Sequence, residues 1–217
     1  MSNAAPCQLL ASYPSYGKSF TLHRGQSLAD AIAQDSGEFV LIEEGALLMY
    51  GTNGAGVRFY LSIIGAGYVF SPQSIGLAQK NCGRFGLEAM RDVQLRRISL
   101  MEWERVIRLH PDLYDRVIEQ EAQQLQFVHL HLAQHGQRSS LDRTRFALCT
   151  YAQGLGSTQP CGSKTIKVSR AELASWIGVS SDRIARLIRE LHLSGEVTVS
   201  GRSIMVSNDL LSTLYPS

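Results

Sequence analysis

Asp182, Arg186 and Arg189 follow one another at intervals of four and three in the stretch SDRIARLIRELHL, so on a helix they share one face. A guanidinium can donate two parallel hydrogen bonds to the major-groove edge of guanine, and a carboxylate can accept one from the amino group of cytosine. A face of this kind is equipped to read base edges. In the same stretch Ile184, Leu187, Ile188 and Leu191 fall at i, i+3, i+4 and i+7, an apolar stripe on the opposite side that requires a core to lie against.

The surrounding sequence has to hold that helix in place. Ser169 followed by Glu172 forms a capping-box pattern, in which hydroxyl and carboxylate each take a backbone donor at a helix start. Leu173, Ala174 and Ile177 make one apolar stripe, Gly178 supplies left-handed backbone for a tight turn, and Ser180 is an N-cap for the helix that carries Arg186. Residues 164–168 (KTIKV) alternate as a strand, and 197–199 and 203–206 bracket a turn at Ser200, Gly201 and Arg202. Helix, glycine turn, helix and hairpin together predict a winged helix-turn-helix. Two amphipathic helices about a glycine also occur as plain core packing, which leaves the flanking strands unaccounted for. Arg202 at the hairpin tip can reach a phosphate or stay solvated.

The chain has 217 residues, 44% of them hydrophobic, enough for two compact cores. Its net charge of +2 divides unevenly: from Arg138 onward ten Lys and Arg face six Asp and Glu, a net of +4, while residues 1–137 carry eleven against thirteen, a net of −2. The basic part contains the helix pair, as attraction to a polyanion requires. No run approaches the roughly 18 apolar residues of a membrane span, and no charged segment leading into an apolar one opens the chain. A cytoplasmic protein without membrane contact is expected. Cys7, Cys82, Cys149 and Cys161 are scattered without a CxxC pair, which argues against a disulfide framework or zinc ribbon and for reduced thiols, with Cys149 in a core. No Gly-x-Ser-x-Gly, phosphate loop or His-Glu-x-x-His occurs, and the one His-x-His, His129 to His131, lies in a helical pattern rather than on a barrel strand. Neither a catalytic residue nor an enzyme activity is expected.

The N-terminal half reads as short strands at 20–23, 39–42, 46–50, 58–64, 85–90 and 93–98, with Gly25, Gly37, Gly45, Gly51, Gly54, Gly56, Gly65 and Gly67 at turns. Short antiparallel strands at this spacing predict a small barrel or jelly roll. Residues 100–109 read as a helix, and Pro111 opens another, unusually long, that runs to about His135. On it Ile118, Leu125 and Leu132 recur every seven residues with Val128 between, the seam of a two-stranded coiled coil in which Glu121 and His135 also sit. A monomeric core helix would need the same apolar residues. A symmetric dimer would in addition place two reading helices about one DNA turn apart.

In this order of parts the chain resembles the Crp/Fnr transcription regulators. The segment DRTRFALCTY at 142–151 is similar to the first helix of that family's DNA-binding domain, and Glu172, Leu173, Ala174, Gly178, Val179, Ser180 and Arg186 fall on its helix-turn-helix pattern. The resemblance implies an α+β chain: an antiparallel β jelly roll of the cyclic-nucleotide-binding type over 1–110, a long dimerisation helix over 111–137 and a winged helix-turn-helix over 138–217. It also implies a homodimer on a palindromic operator in double-stranded DNA, contact with RNA polymerase, and a small-molecule effector. Family recognition helices commonly open with a glutamate and, four residues on, an arginine. Asp182 and Arg186 hold those positions here, with Ser181 where some members have arginine. The implied DNA contacts are Ser169, Arg170, Ser180, Ser181, Asp182, Arg183, Arg186, Arg189 and Arg202, and the implied dimer interface is Ile118, Leu125, Val128 and Leu132.

Cyclic-nucleotide binders of the family carry a Gly-Glu pair and, later, an Arg-Ser/Thr-Ala run. Here Gly65-Ala-Gly-Tyr-Val-Phe70 and Arg84-Phe85-Gly86 stand instead, so ribose and cyclic phosphate would lose a carboxylate and a hydroxyl partner. Cyclic AMP is therefore not the expected effector. Leu130 and His131 fall about where nucleotide-binding relatives touch the base, which makes Arg84, Leu130 and His131 the candidate effector pocket, although Arg84 also reads as a solvated surface residue. No cofactor is identifiable. Cys7 stands alone where iron–sulfur sensors cluster cysteines, and His131 and His135, one turn apart, can chelate a metal, flank a haem or be ordinary surface histidines. The alternatives are a haem- or metal-responsive sensor and an effector-free dimer that binds DNA constitutively as an architectural or repressing module.

Overall fold

The computed structural model describes residues 16–31, 37–52, 58–73, 84–137 and 139–214; Cys7, Cys82, Gly54 and Gly56 lie outside them. The N-terminal strands are β1 (Lys18–Leu22), β2 (Phe39–Glu44), β3 (Ala46–Thr52), β4 (Arg58–Gly65), β5 (Val69–Phe70), β6 (Arg84–Ala89) and β7 (Val93–Ile98), with a single helical turn, α1 (Leu28–Ala31), after β1. They form two sheets, ordered β1-β7-β2-β5 and β4-β3-β6. Residues 39–42 of β2 are an unbroken apolar run because both faces of the strand are covered there. Leu41 packs with Trp103, Val106 and Leu113, so Val40 and Ile42, also fully buried, point to the other side.

Several strands differ from the sequence expectation in ways that their pairing explains. β1 begins at Lys18 because Lys18 to Leu22 pair with Arg97 to Val93, while the N–H of His23 leaves the ladder to donate to Gln26 Oε1 at 2.7 Å. Gly51 is no turn residue; it pairs with Phe85 inside β3, and the ladder continues to Thr52 and Arg84. The short β5 was not foreseen, since two residues carry no alternation.

Helix α2 (Leu100–Leu109) opens with a capping box. Glu102 N–H donates to Ser99 Oγ at 3.3 Å, and the Glu102 carboxylate accepts from the N–H of Ser99 at 2.9 Å and of Gly17 at 3.1 Å. The Ser99 hydroxyl, with these backbone donors, holds the Glu102 carboxyl below its ordinary range. Helix α3 (Asp112–Gln137) starts one residue later than expected, because Pro111 lies in a preceding turn and offers its carbonyl to Tyr114 N–H at 3.1 Å. Its 26 residues span roughly 39 Å. Leu113 fixes its first turn in the core. Further along, Gln120 Nε2 donates to the Val69 carbonyl at 2.9 Å and Gln120 Oε1 accepts from Val69 N–H at 3.3 Å, so the amide pairs with the last strand of the sheet.

The C-terminal part contains α4 (Ser140–Leu155), β8 (Ser157–Thr158), β9 (Lys164–Ile166), α5 (Arg170–Ile177), α6 (Ser181–Leu193), β10 (Val197–Ser200), β11 (Ser203–Val206) and α7 (Asn208–Leu214). Its strands are ordered β10-β11-β9-β8. β9 ends at Ile166, two residues short of the expected strand, since β11 offers it partners only from Ile204 to Val206. Ser200 still pairs with Ser203, so the hairpin turns on Gly201 and Arg202 alone, a two-residue loop that suits the twist of its strands. Trp176, Tyr151 and Cys149 are buried at the centre, and burial pushes the Cys149 thiol up to about 12. Two compact units result: residues up to Arg58 with Ser62–His129, and Phe59–Leu61 with Leu130–Ser217.

Candidate nucleic-acid interface

Local hydrogen bonds place α5 and α6 as their sequences require. Ser169 Oγ accepts from Glu172 N–H at 3.1 Å and the Glu172 carboxylate accepts from Ser169 N–H at 2.7 Å, closing the capping box. Gly178 is left-handed, with φ of 71° and ψ of 43°, a conformation that strains any residue with a Cβ. Ser180 Oγ then accepts from Arg183 N–H at 3.3 Å and starts α6. Ile184, Leu187, Ile188 and Leu191 are buried against the rest of the unit.

The opposite face is exposed. Asp182, Arg186 and Arg189 lie there, and among the described residues none of the three has a hydrogen-bond or ion-pair partner. Ser169, Arg170, Ser180, Ser181 and Arg202 are exposed as well, Arg170 in the first turn of α5 and Arg202 at the hairpin tip. Arg183 is different. It is exposed, but its guanidinium donates to Ser140 Oγ at 3.2 Å, at the start of α4.

A polar network that the sequence did not reveal supports this arrangement. Arg145 donates twice to Glu196, at 2.6 and 2.8 Å, and once to Asp142 at 2.9 Å. Glu196 also accepts from the Ser194 hydroxyl at 2.8 Å, at the cap of α6, and Asp142 accepts from the Ser139 hydroxyl at 2.8 Å, at the cap of α4. Arg145 holds the Glu196 carboxyl below its ordinary range, and in return Glu196 raises the Arg145 guanidinium. Arg145 and Glu196 are 51 positions apart, beyond the reach of any local pattern. Only the pairing of an i, i+3 Asp142 and Arg145 on one helix could have pointed there.

The other candidate residues lie on different elements. Arg84 begins β6 opposite Thr52, and Leu130, His131, Leu132 and His135 lie on the helical backbone of α3. Among the described residues no group of three His, Cys, Asp or Glu side chains could hold a metal ion. Of the seam, Ile118 and Leu125 are 53% and 56% exposed and Val128 is half-buried; Tyr114, 55% exposed, extends the stripe one turn earlier. Glu121 is half-buried within it, and burial raises its carboxyl above the usual range, with the Tyr68 hydroxyl opposing. Among the described residues no helix is long and apolar enough to cross a membrane.

No protein-family model and no curated protein matches the sequence. Solved structures do match. A mutant of CooA from Carboxydothermus hydrogenoformans aligns with a TM-score of 0.72 at 14% identity, over 99% of this chain and 95% of that one. The c-di-GMP responsive global regulator CLP of Xanthomonas campestris gives 0.69 at 14% identity, over 92% and 98%. FixK2 from Bradyrhizobium japonicum gives 0.68 at 17% identity, over 93% and 98%. The fold is that of the CRP/FNR regulators. Within the CRP/FNR fold α5 and α6 form the helix-turn-helix, β10 and β11 the wing, and Arg145 joins the helix that precedes them to the turn between α6 and the wing.

Because the folded-state carboxyl of Glu196 titrates below its unfolded value, the bridge contributes fully above about pH 4.3 and is lost as pH falls through the folded value. Glu196→Gln should lower stability at pH 7 by about 1.5–3 kcal/mol, the range for hydrogen bonds to charged groups. Urea unfolding of both proteins between pH 7 and pH 3 tests it. The difference should shrink progressively as pH falls below about 4.3, and a gap that stays constant down to pH 3 would show that the carboxylate is not the source.

Proposed function

We propose that the protein is a homodimeric, sequence-specific DNA-binding transcription regulator, built as a sensor over 1–110, a dimerisation helix over 111–137 and a DNA-binding domain over 138–217. The observation that carries this reading is the set of free charges on α6: Asp182, Arg186 and Arg189 exposed together, without partners among the described residues, on a helix whose other face is fully packed. A guanidinium left unpaired on a rigid helix in a domain of net positive charge suits a base edge. Ser169, Arg170, Ser180, Ser181 and Arg202 are exposed as well and would take backbone phosphates. The likeness in fold to CRP/FNR regulators supports the reading, and with it contact with RNA polymerase and a cytoplasmic location.

The duplex that the protein selects from a random-sequence pool supplies the test. Arg186→Ala should cost about 1–3 kcal/mol per half-site on that duplex and change non-specific binding little. Equal losses on both DNAs would remove Arg186 from base reading. Arg202→Ala should weaken both and reduce the salt dependence slightly, as loss of a phosphate contact does.

Dimerisation through α3 is supported by Ile118 and Leu125, half exposed in heptad register, with Val128 and Leu132 continuing the seam. Replacing Leu125 and Leu132 together by glutamate should give a monomer in sedimentation and abolish operator binding, because one half-site alone contributes too little affinity. A double variant that sediments as a dimer would move the interface elsewhere.

The effector, where one acts, would not be cyclic AMP. Residues 65–70 present neither carboxylate nor hydroxyl for the ribose except that of Tyr68, which is buried against α3, and no hydroxyl follows Arg84. Calorimetric titration should show no micromolar binding of cyclic AMP or cyclic GMP; binding at that level that also tightens operator affinity would overturn this point. The same titration with haem and with divalent metals tests Arg84, Leu130 and His131 as the pocket, where His131→Ala should abolish any signal; the constitutive DNA-binding dimer is the alternative in which no small molecule changes operator affinity.

A further inference from the structure

Arg183 is the arginine of α6 with its guanidinium already engaged. At about 100° per residue it lies about 60° around the helix from Arg186 and about 100° from Asp182, on the flank between the exposed and packed faces. From there it donates to Ser140 Oγ at 3.2 Å, while Ser180 Oγ holds its backbone N–H at 3.3 Å. The far end of α6 is tied to the same element. Ser194, beside the last turn, donates to Glu196, Glu196 accepts from Arg145, and Arg145 donates to Asp142. Ser140 and Arg145, within the first two turns of α4, therefore hold the recognition helix at both ends, by a bidentate ion pair at one and by the Arg183–Ser140 hydrogen bond at the other.

We propose that Arg183 is a positioning residue for base reading: it acts through Ser140 Oγ, fixing the N-terminal end of α6 against α4, and does not itself contact DNA. The inference rests on α6 being the DNA-reading helix. Its logic is that of a lever. The 13 residues of α6 are roughly 20 Å long, so a tilt of about 5° about the end held by Glu196 moves the opposite end by roughly 1.7 Å. Asp182 and Arg186 lie toward that moving end, and hydrogen bonds to base edges tolerate only a few tenths of an ångström before weakening. A bond that would add little to the stability of an exposed surface thereby determines whether two reading side chains reach their targets.

A double-mutant cycle separates this role from a phosphate contact. Ser140→Ala, Arg183→Ala and the double variant would be titrated by fluorescence anisotropy, at several salt concentrations, against the duplex that the wild-type protein selects from a random pool. Each single variant should lose roughly three- to tenfold in affinity for that duplex, the scale of one hydrogen bond, and the double variant should lose no more than the larger single loss, since all three remove the same interaction. The slope of log affinity against log salt should be the same for all four proteins. Additive losses would overturn the proposal. So would a silent Ser140→Ala together with an Arg183→Ala whose salt slope falls by about one, which would make Arg183 a phosphate contact. Wild-type protein that binds no duplex would instead remove the reading of α6 as a DNA helix, and the positioning role with it.

Discussion

Arg145 reaches from α4 to the carboxylate of Glu196 with two parallel hydrogen bonds, and the placement of α6 depends on that contact. Glu196 belongs to three structures at once. Its N–H donates to Leu191 O at 3.0 Å and finishes α6, its carbonyl accepts from Ser207 N–H at 3.0 Å after β11, and its side chain meets Arg145. Gly195, with φ of 79°, makes the reversal that lets one residue serve all three. A planar guanidinium bound by two bonds cannot rotate about either, so the angle between α4 and α6 is specified as well as their distance. Loss of either partner would strand the other charge in a half-buried site, a heavier penalty than the pair's own net contribution.

The N-terminal unit is organised by the opposite means. There the contacts that orient the long helix are mainly apolar: Leu113 and Val117 join Leu41, Val69, Ile98, Trp103 and Val106, and the ring of Phe39 stacks on Trp103 with centroids 4.4 Å apart. Apolar packing fixes which face of α3 is inside and leaves Tyr114, Ile118 and Leu125 on the outside. A helix with one stripe in a core and a second apolar stripe uncovered has two surfaces to satisfy, and the second is the one that the proposed coiled-coil partner would cover.

Much of the geometry of α5 and α6 was legible because it is local. Ser169 with Glu172, Gly178 and Ser180 are caps and turns that operate within four residues, and the i, i+3, i+4, i+7 stripe of α6 names its own buried face. Strand ends were less legible, because β9 stops where β11 stops offering partners and Gly51 is held in a ladder by Phe85, both consequences of residues distant in sequence. The support of the site was least legible. Arg145 and Glu196 read as ordinary surface charges until the fold brings them together, and although spacing puts Arg183 on the flank of α6, nothing local names the hydroxyl it meets on another helix. Two-residue strands such as β5 and β8 leave no periodicity to detect.

β5 is the outermost strand of its sheet, and an outermost strand ordinarily offers its amides and carbonyls as a template for other chains. The side-chain amide of Gln120 has the same donor and acceptor geometry as a peptide group, and it occupies Val69 as a neighbouring strand would. With only two residues in β5, little of the edge is left open for recruitment. The long helix is thus also a guard against cross-chain sheet growth: by occupying Val69 it closes the edge at which open-ended strand addition would begin.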